Sequence, residues 1–133
     1  MILSDIVERI ESNKVATILS DLKDIAVELS TSLPKRISSL PSALKSGWEL
    51  KKLISPSISS ERVDHYYTLG MNSGGLGGKL LGSGGGGFLL FFCDPEAKMR
   101  MREPLSDLVE VPFIFDNTGS IIIHKEMGIG DCH

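Results

Sequence analysis

Apolar residues recur at helical spacing through the first half of the chain. From residue 15 they follow an i, i+3, i+4, i+7 pattern for about four turns, which predicts a long helix with one buried stripe that ends before Pro34. A shorter helix with one apolar face is predicted over residues 3–12. The apolar positions of the long helix are Val15, Ile18, Leu19, Leu22, Ile25, Ala26 and Leu29.

Two more helices are predicted from residues that favour helix ends. Pro41 suits the first turn of a helix that stops before Pro56. Ser59 or Ser60 suits the N-cap of the next helix, and Gly70 suits its C-terminal stop. The first 72 residues are therefore predicted to be helical.

The second half of the chain changes to shorter segments. Residues 88–93 form an apolar run that predicts a strand buried on both faces, and a helix is predicted over 95–106. Alternating apolar residues predict a strand over 109–115, in which Pro112 favours an edge or a bulge, and a return strand over 120–124. Helices followed by strand, helix, strand and strand predict an α+β fold.

Length, charge and cysteine content narrow the class of protein. The chain has 133 residues, of which 41% are hydrophobic and 23% are charged, and this indicates one globular domain. Its net charge of −3 disfavours nucleic acid as a partner. Its longest apolar run, residues 88–93, is too short to span a membrane, and the N-terminus shows no signal-peptide pattern. Cys93 and Cys132 have no paired spacing, so we expect a reducing compartment and a cytoplasmic location.

Glycine is concentrated in one segment. Nine of the 14 glycines lie between Gly74 and Gly87. The segment is either a flexible linker or an ordered loop whose backbone amides approach an anion. The apolar residues within it, and the apolar run that follows, favour the ordered loop.

Two common nucleotide-binding patterns do not explain this segment. A Walker motif would require glycine at position 73 and a hydroxyl at position 80, where the chain has Ser73 and Leu80. Residues 82–87 satisfy G-x-G-x-x-G, but a predicted strand follows instead of the helix that a dinucleotide fold requires. Lys79 is the one charged residue between Asp64 and Asp94. Its side chain either contacts a phosphate or extends from the end of a strand so that its ammonium group lies in solvent.

Residues 77–88, GGKLLGSGGGGF, resemble the third conserved motif of GHMP kinases, the family named for its galactokinase, homoserine, mevalonate and phosphomevalonate members. WELKKL at 48–53, SSERVD at 59–64 and the segment 111–120 resemble the D-glycero-D-manno-heptose 7-phosphate kinase branch of that family. The resemblance covers about residues 16–124. It implies a ferredoxin-like antiparallel sheet packed with helices, as in the C-terminal domain of these kinases.

The resemblance also implies a role for the glycine segment. In a complete GHMP kinase, this motif faces ATP and Mg²⁺ held largely by an N-terminal domain. Serine at position 83 replaces the alanine that is usual in the family. By position, the residues expected to face the phosphates are Lys79, Gly82, Ser83, Gly84, Gly85 and Gly86.

Other parts of the expected kinase are not recognisable in the sequence. It has no counterpart of the family's main phosphate loop, no identifiable catalytic residue and no metal-binding cluster. We therefore expect no tight binding of ATP and no catalysis by this chain alone. The expected partners are an N-terminal kinase domain, in the same chain or a separate one, a sugar-phosphate substrate, and a second copy when the domain is alone.

A second group of residues is a candidate for contact with substrate. Trp48, Lys51 and Lys52 lie within about one turn of the same predicted helix. They suit a sugar-phosphate site, although the pattern favours a half-buried indole beside solvated lysines.

The predicted domain spans residues 1–133 and divides into a helical part over 1–72, a glycine-rich loop over 73–87, an α/β half over 88–124 and a frayed tail over 125–133. Two other functions compete with a kinase domain. The first is a stand-alone small-molecule-binding or regulatory module without catalysis. The second is an RNA-binding sheet, which the acidic composition disfavours.

Overall fold

The computed structural model describes residues 13–33, 37–82, 86–116 and 118–121. The helix predicted over 3–12 and the tail predicted over 125–133 lie outside the described residues. The described elements are α1 (Asn13–Ser32), α2 (Leu40–Ile54), α3 (Glu61–Asn72), β1 (Gly75–Leu81), β2 (Phe88–Cys93) and α4 (Pro95–Met101). Short 3₁₀ turns lie at Ile37–Ser39 and Pro56–Ile58. The α+β class is thus confirmed.

The first two helices begin and end as their sequences predict. α1 ends at Ser32, before Pro34, and α2 has Pro41 in its first turn and ends before Pro56. Only the first turn of the α1 stripe is fully covered, since Val15 and Ile18 are buried while the apolar residues further along are half-buried or exposed. The stripe therefore extends beyond the surface that covers it.

The third helix starts as predicted and ends later. The Ser60 hydroxyl accepts a hydrogen bond from the Val63 backbone N–H at 3.3 Å, so Ser60 is the N-cap of α3. The predicted stop at Gly70 is wrong because this glycine is buried inside the helix, against the ring of Phe91. The helix ends at Asn72, where the Ser73 backbone N–H donates to the Leu69 carbonyl at 3.1 Å.

The first part of the predicted glycine-rich loop is a strand. β1 pairs antiparallel with β2 from Gly75 opposite Cys93 to Leu81 opposite Phe88, and Leu76 is the extra residue of a bulge. The loop is therefore confined to residues 82–87. The strand signal is weak in the sequence because β1 contains three glycines.

β2 is a strand as predicted, but it is not buried on both faces. Phe88 is exposed and the other five residues are half-buried, because the described sheet has two strands. The following helix is also shorter than predicted, since α4 ends at Met101 and turns continue to residue 107.

The predicted strand over 109–115 is wrong for the described structure. This segment makes no ladder with β1 or β2, and its apolar residues are exposed, with Ile114 at 91% and Phe115 at 81%. Glu110 holds the start of the segment to α4 through ion pairs of 3.0 Å with both Lys98 and Arg102. Of the predicted return strand, Ser120 and Ile121 are described and are not in a strand.

One core connects the helices to β1. Trp48 of α2 and Tyr67 of α3 lie side by side with ring centroids 6.2 Å apart, and Phe91 of β2 continues the row at 5.9 Å from Tyr67. Leu80 of β1 is 2% exposed within the same cluster. The core therefore fixes α2 and α3 against the strand that leads into the glycine loop. Its buried members are Val15, Ile18, Trp48, Ile54, Ile58, Val63, Tyr67 and Leu80.

Candidate functional site

The glycine loop connects the two strands of the hairpin. Leu81 and Phe88 are the last paired residues, and the loop is the connection between them, of which Gly82, Gly86 and Gly87 are described. Gly82 and Gly87 have φ angles of +134° and +132°, which side chains rarely adopt, so both ends of the loop require glycine. The two ends approach closely, because a methyl group on Gly82 would lie 3.0 Å from the Gly86 carbonyl oxygen.

The described part of the loop is open to solvent. Gly82, Gly86 and Gly87 are exposed, and a methyl group on Gly86 would have no atom within 4 Å. Backbone amides that are exposed and free of side chains are suited to hydrogen-bonding an anion. Ser83, Gly84 and Gly85, the middle of the predicted phosphate-facing segment, lie outside the described residues.

Three predicted site residues from two elements line a common groove. Trp48 and Lys51 of α2 and Lys79 of β1 border an open groove of about 210 Å³ whose other wall is α1. Among the described residues, neither Lys51 nor Lys79 makes an ion pair. The structure thus joins Lys79 with a lysine that the sequence placed in a different site. The remaining lining residues are Leu22, Ile25, Ala26, Leu29, Ala43, Leu44 and Gly47.

Lys52 is positioned differently from its neighbour. Its ammonium group lies 3.1 Å from Glu49 and 3.9 Å from Asp64, and 6.0 Å from the ring centres of Trp48 and Tyr67. Lys52 does not line the groove. Its charge is balanced by two carboxylates, so its contacts link α2 to α3.

Trp48 is a core residue rather than an exposed platform. Its side chain is 1% exposed, which leaves no open ring face on which a sugar would stack. The indole N–H is buried without a hydrogen-bond acceptor among the described residues. Trp48 therefore forms part of the floor of the groove, and the half-buried position considered from the sequence understates its burial.

The buried Tyr67 and the half-buried Cys93 have raised pKa values. Burial, and secondarily the charge of Glu49, raise the pKa of the Tyr67 hydroxyl, which donates a 3.4 Å hydrogen bond to the Gly78 carbonyl. Burial, and secondarily the charge of Asp94, raise the pKa of the Cys93 thiol. Both groups therefore stay protonated at neutral pH, and neither is activated as a nucleophile.

The described residues contain no group of three or more histidine, cysteine or acidic side chains placed to hold a metal ion. Of the helices between residues 13 and 101, none is long and apolar enough to cross a membrane.

Sequence reasoning did not find the groove itself. Its walls are ordinary helical apolar positions of α1 and α2, which are indistinguishable in sequence from core positions. One available signal was the length of the apolar stripe, since it continues for about three turns beyond Ile18.

Comparison with known proteins identifies the family. The model of the family described as GHMP kinases C terminal matches residues 25–110, which is more than half of the chain. This chain belongs to the GHMP kinase C-terminal family. The matched region contains α2, α3, the hairpin with its glycine loop, and α4.

The GHMP kinase C-terminal domain described here is also similar to a curated enzyme. It is 32% identical over 85 residues to the D-glycero-alpha-D-manno-heptose 7-phosphate kinase of Campylobacter jejuni subsp. jejuni serotype O:2. The aligned region is 63% of this chain and 25% of the relative, so the domain spans about a quarter of that enzyme. The resemblance to GHMP kinases and to their heptose phosphate branch is confirmed.

Proposed function

We propose that this GHMP kinase C-terminal domain belongs to an ATP-dependent sugar or sugar-phosphate kinase of the heptose type, and that it supplies the glycine-rich motif to the phosphoryl-transfer cleft. The observation that carries this proposal is the loop at residues 82–87. It lies in the region matched by the family, its ends require glycine at Gly82 and Gly87, and its described backbone is exposed.

The proposed chemistry of the loop is electrostatic. Phosphoryl transfer depends mainly on positioning and on stabilising charge on the phosphate oxygens. The amides of Gly82, Gly84, Gly85 and Gly86, with the amide and hydroxyl of Ser83, would donate hydrogen bonds to those oxygens. The described residues offer no carboxylate set for Mg²⁺, so we assign no step of the reaction to a metal held by this chain.

The domain is proposed to need a partner for activity. One loop forms a single wall of a phosphate site, so ATP binds weakly and no turnover occurs until an N-terminal GHMP kinase domain supplies the rest. Exposed apolar residues after α4 also favour association when the domain is alone, since Val109 is 88% exposed and Ile114 is 91% exposed. We expect a homodimer in sedimentation, and a cytoplasmic location.

Reconstitution tests the kinase proposal. The 133-residue chain is mixed with the N-terminal domain of a heptose 7-phosphate kinase, and ATP turnover is measured with heptose phosphates and with unphosphorylated sugars. We expect turnover only in the mixture. Measurable turnover by the purified chain, with contaminating kinases excluded, would contradict the requirement for a partner.

A pair of glycine substitutions makes the experiment specific to the loop. Gly86→Ala and Gly47→Ala each add a methyl group where there is room, with nothing within 4 Å of the first and Leu22 at 3.9 Å from the second. We expect Gly86→Ala to reduce reconstituted turnover and Gly47→Ala to leave it unchanged. Equal turnover for both variants would contradict the role of the loop in the phosphoryl-transfer cleft. No turnover with any N-terminal domain would favour the stand-alone binding or regulatory module.

A further inference from the structure

The apolar stripe of α1 continues past the part of the core that covers it. Leu22, Ile25, Ala26 and Leu29 follow the buried Val15 and Ile18 at helical spacing, but they are half-buried or exposed. These four residues form one wall of the groove described above. A ligand that covers the exposed remainder of this wall gains about 25 cal/mol for each Å² of apolar surface that it buries.

One part of the groove is positively charged. Lys51 and Lys79 line it, whereas no acidic residue does so, and neither lysine makes an ion pair with a described residue. Apolar walls lower the local dielectric constant, which strengthens the attraction of the two ammonium groups for an anion. Lys52 differs because Glu49 and Asp64 already neutralise it.

A second hollow extends the groove along the seam between α1 and α2. It has a volume of about 130 Å³ and shares Ile25, Leu29 and Ala43 with the first. Glu28 lines this part, so a negative charge is disfavoured there. The charges therefore orient a bound molecule with its single anionic group toward Lys51 and Lys79. The hollow is also lined by Ser32, Ser39, Ser42 and Ser46.

We propose that this groove binds an amphipathic organic anion. A phosphate or carboxylate head lies between Lys51 and Lys79, and a short aliphatic body lies along the wall of Leu22, Ile25 and Leu29. A sugar is a poor occupant of the charged part, because the lysines are its only polar side chains apart from the buried indole N–H of Trp48. The groove of about 210 Å³ and the adjoining hollow of about 130 Å³ suit a small head group with a short aliphatic body.

Trp48 provides a direct measurement. It is the one tryptophan of the sequence and it lines the groove, so its fluorescence reports occupancy without any assay of turnover. The 133-residue chain is titrated with octyl phosphate, octanoate, inorganic phosphate and octanol. We expect a saturable change in Trp48 emission with octyl phosphate, octanoate or both, and the comparison of these two identifies the preferred head group. Binding of inorganic phosphate as tight as that of octyl phosphate, or binding of octanol as tight as that of either anion, would overturn the proposal.

Lysine variants test the charged part of the groove. Lys51→Gln and Lys79→Gln should each weaken binding roughly tenfold, the loss expected for one charge-assisted hydrogen bond, while Lys52→Gln is the matched control and should bind normally. Each variant must keep the cooperative unfolding of the original chain. Equal affinity for all three variants, or equal loss in all three, would overturn the assignment of the head group to Lys51 and Lys79.

A substitution in the shared wall tests the body of the ligand. Ala43→Leu adds volume where the two hollows meet and should weaken octyl phosphate binding severalfold. Unchanged affinity would contradict binding along the α1–α2 seam. These measurements do not involve ATP. The groove proposal can therefore fail while the proposed kinase function holds, and the kinase function can fail while the groove proposal holds.

Discussion

The α-carbon of Gly77 in β1 lies against the backbone carbonyl group of Pro41 in the first turn of α2. A methyl group built on Gly77 would lie 2.6 Å from the Pro41 carbonyl carbon and 2.8 Å from the Pro41 α-carbon. Both atoms belong to the backbone, so a side chain at position 77 requires the helix to move away from the strand. This contact positions α2 on the strand that carries Lys79 and leads into the glycine loop.

Gly77→Ala is therefore expected to destabilise the domain. Overpacking against a rigid backbone costs about 1–3 kcal/mol, and urea unfolding measures the loss. Gly86→Ala is the matched control, since its methyl group meets no described atom within 4 Å. Similar unfolding midpoints for the two variants would show that α2 does not approach β1 as closely as described.

Gly47→Ala is expected to stabilise the domain. Gly47 lies in the interior of α2, where glycine costs about 0.5–1 kcal/mol relative to alanine. The added methyl group would lie 3.9 Å from the Leu22 Cδ2 atom of α1, which is an ordinary contact distance. Thermal unfolding should show a higher Tm, and a lower Tm would mean that α1 and α2 are closer together at this point.

Gly87→Ala is expected to impair the loop. Its φ angle of +132° is strained for alanine, at a cost of about 1–3 kcal/mol, and the methyl group would clash with the Leu81 carbonyl oxygen. We expect a lower unfolding free energy together with loss of turnover in the reconstituted kinase. Full turnover by a normally stable variant would argue that the glycine at the end of the loop is dispensable.

Glu110 is expected to titrate below the ordinary range of a glutamate. Two hydrogen bonds lower the pKa of its carboxyl group, the larger effect coming from Lys98 and the smaller from Arg102. The pKa of Glu110 is lower in the folded state than in the unfolded state. The contacts therefore contribute fully to the free energy of unfolding at a pH above the ordinary glutamate pKa. This contribution is lost as the pH falls through the pKa of the folded state. Carboxyl NMR should show the low pKa and release of the 109–116 segment from α4 in acid. An ordinary pKa, or one unchanged by Lys98→Gln, would contradict these ion pairs.

Local signals predicted the helices well. Pro34, Pro41 and Ser60 determine where α1 ends and where α2 and α3 begin, because proline and cap residues act on backbone groups within one turn. The glycine motif likewise predicted the family, since the relevant residues are contiguous in the chain. Gly70 shows the limit of such signals: a glycine near a helix end favours a stop, but here it is buried against Phe91, far away in the sequence.

The sequence by itself determined the α+β class, the positions of the three long helices and membership of the GHMP kinase family, because these depend on neighbouring residues and contiguous motifs. Only the tertiary structure decided that residues 75–81 are a strand and that Trp48 is buried. It also brought Lys79 into a groove with Lys51, while Asp64 and Glu49 neutralise Lys52. Pairing, burial and charge balance depend on which distant surfaces meet, and that information lies in the packing of α1, α2 and α3 around β1.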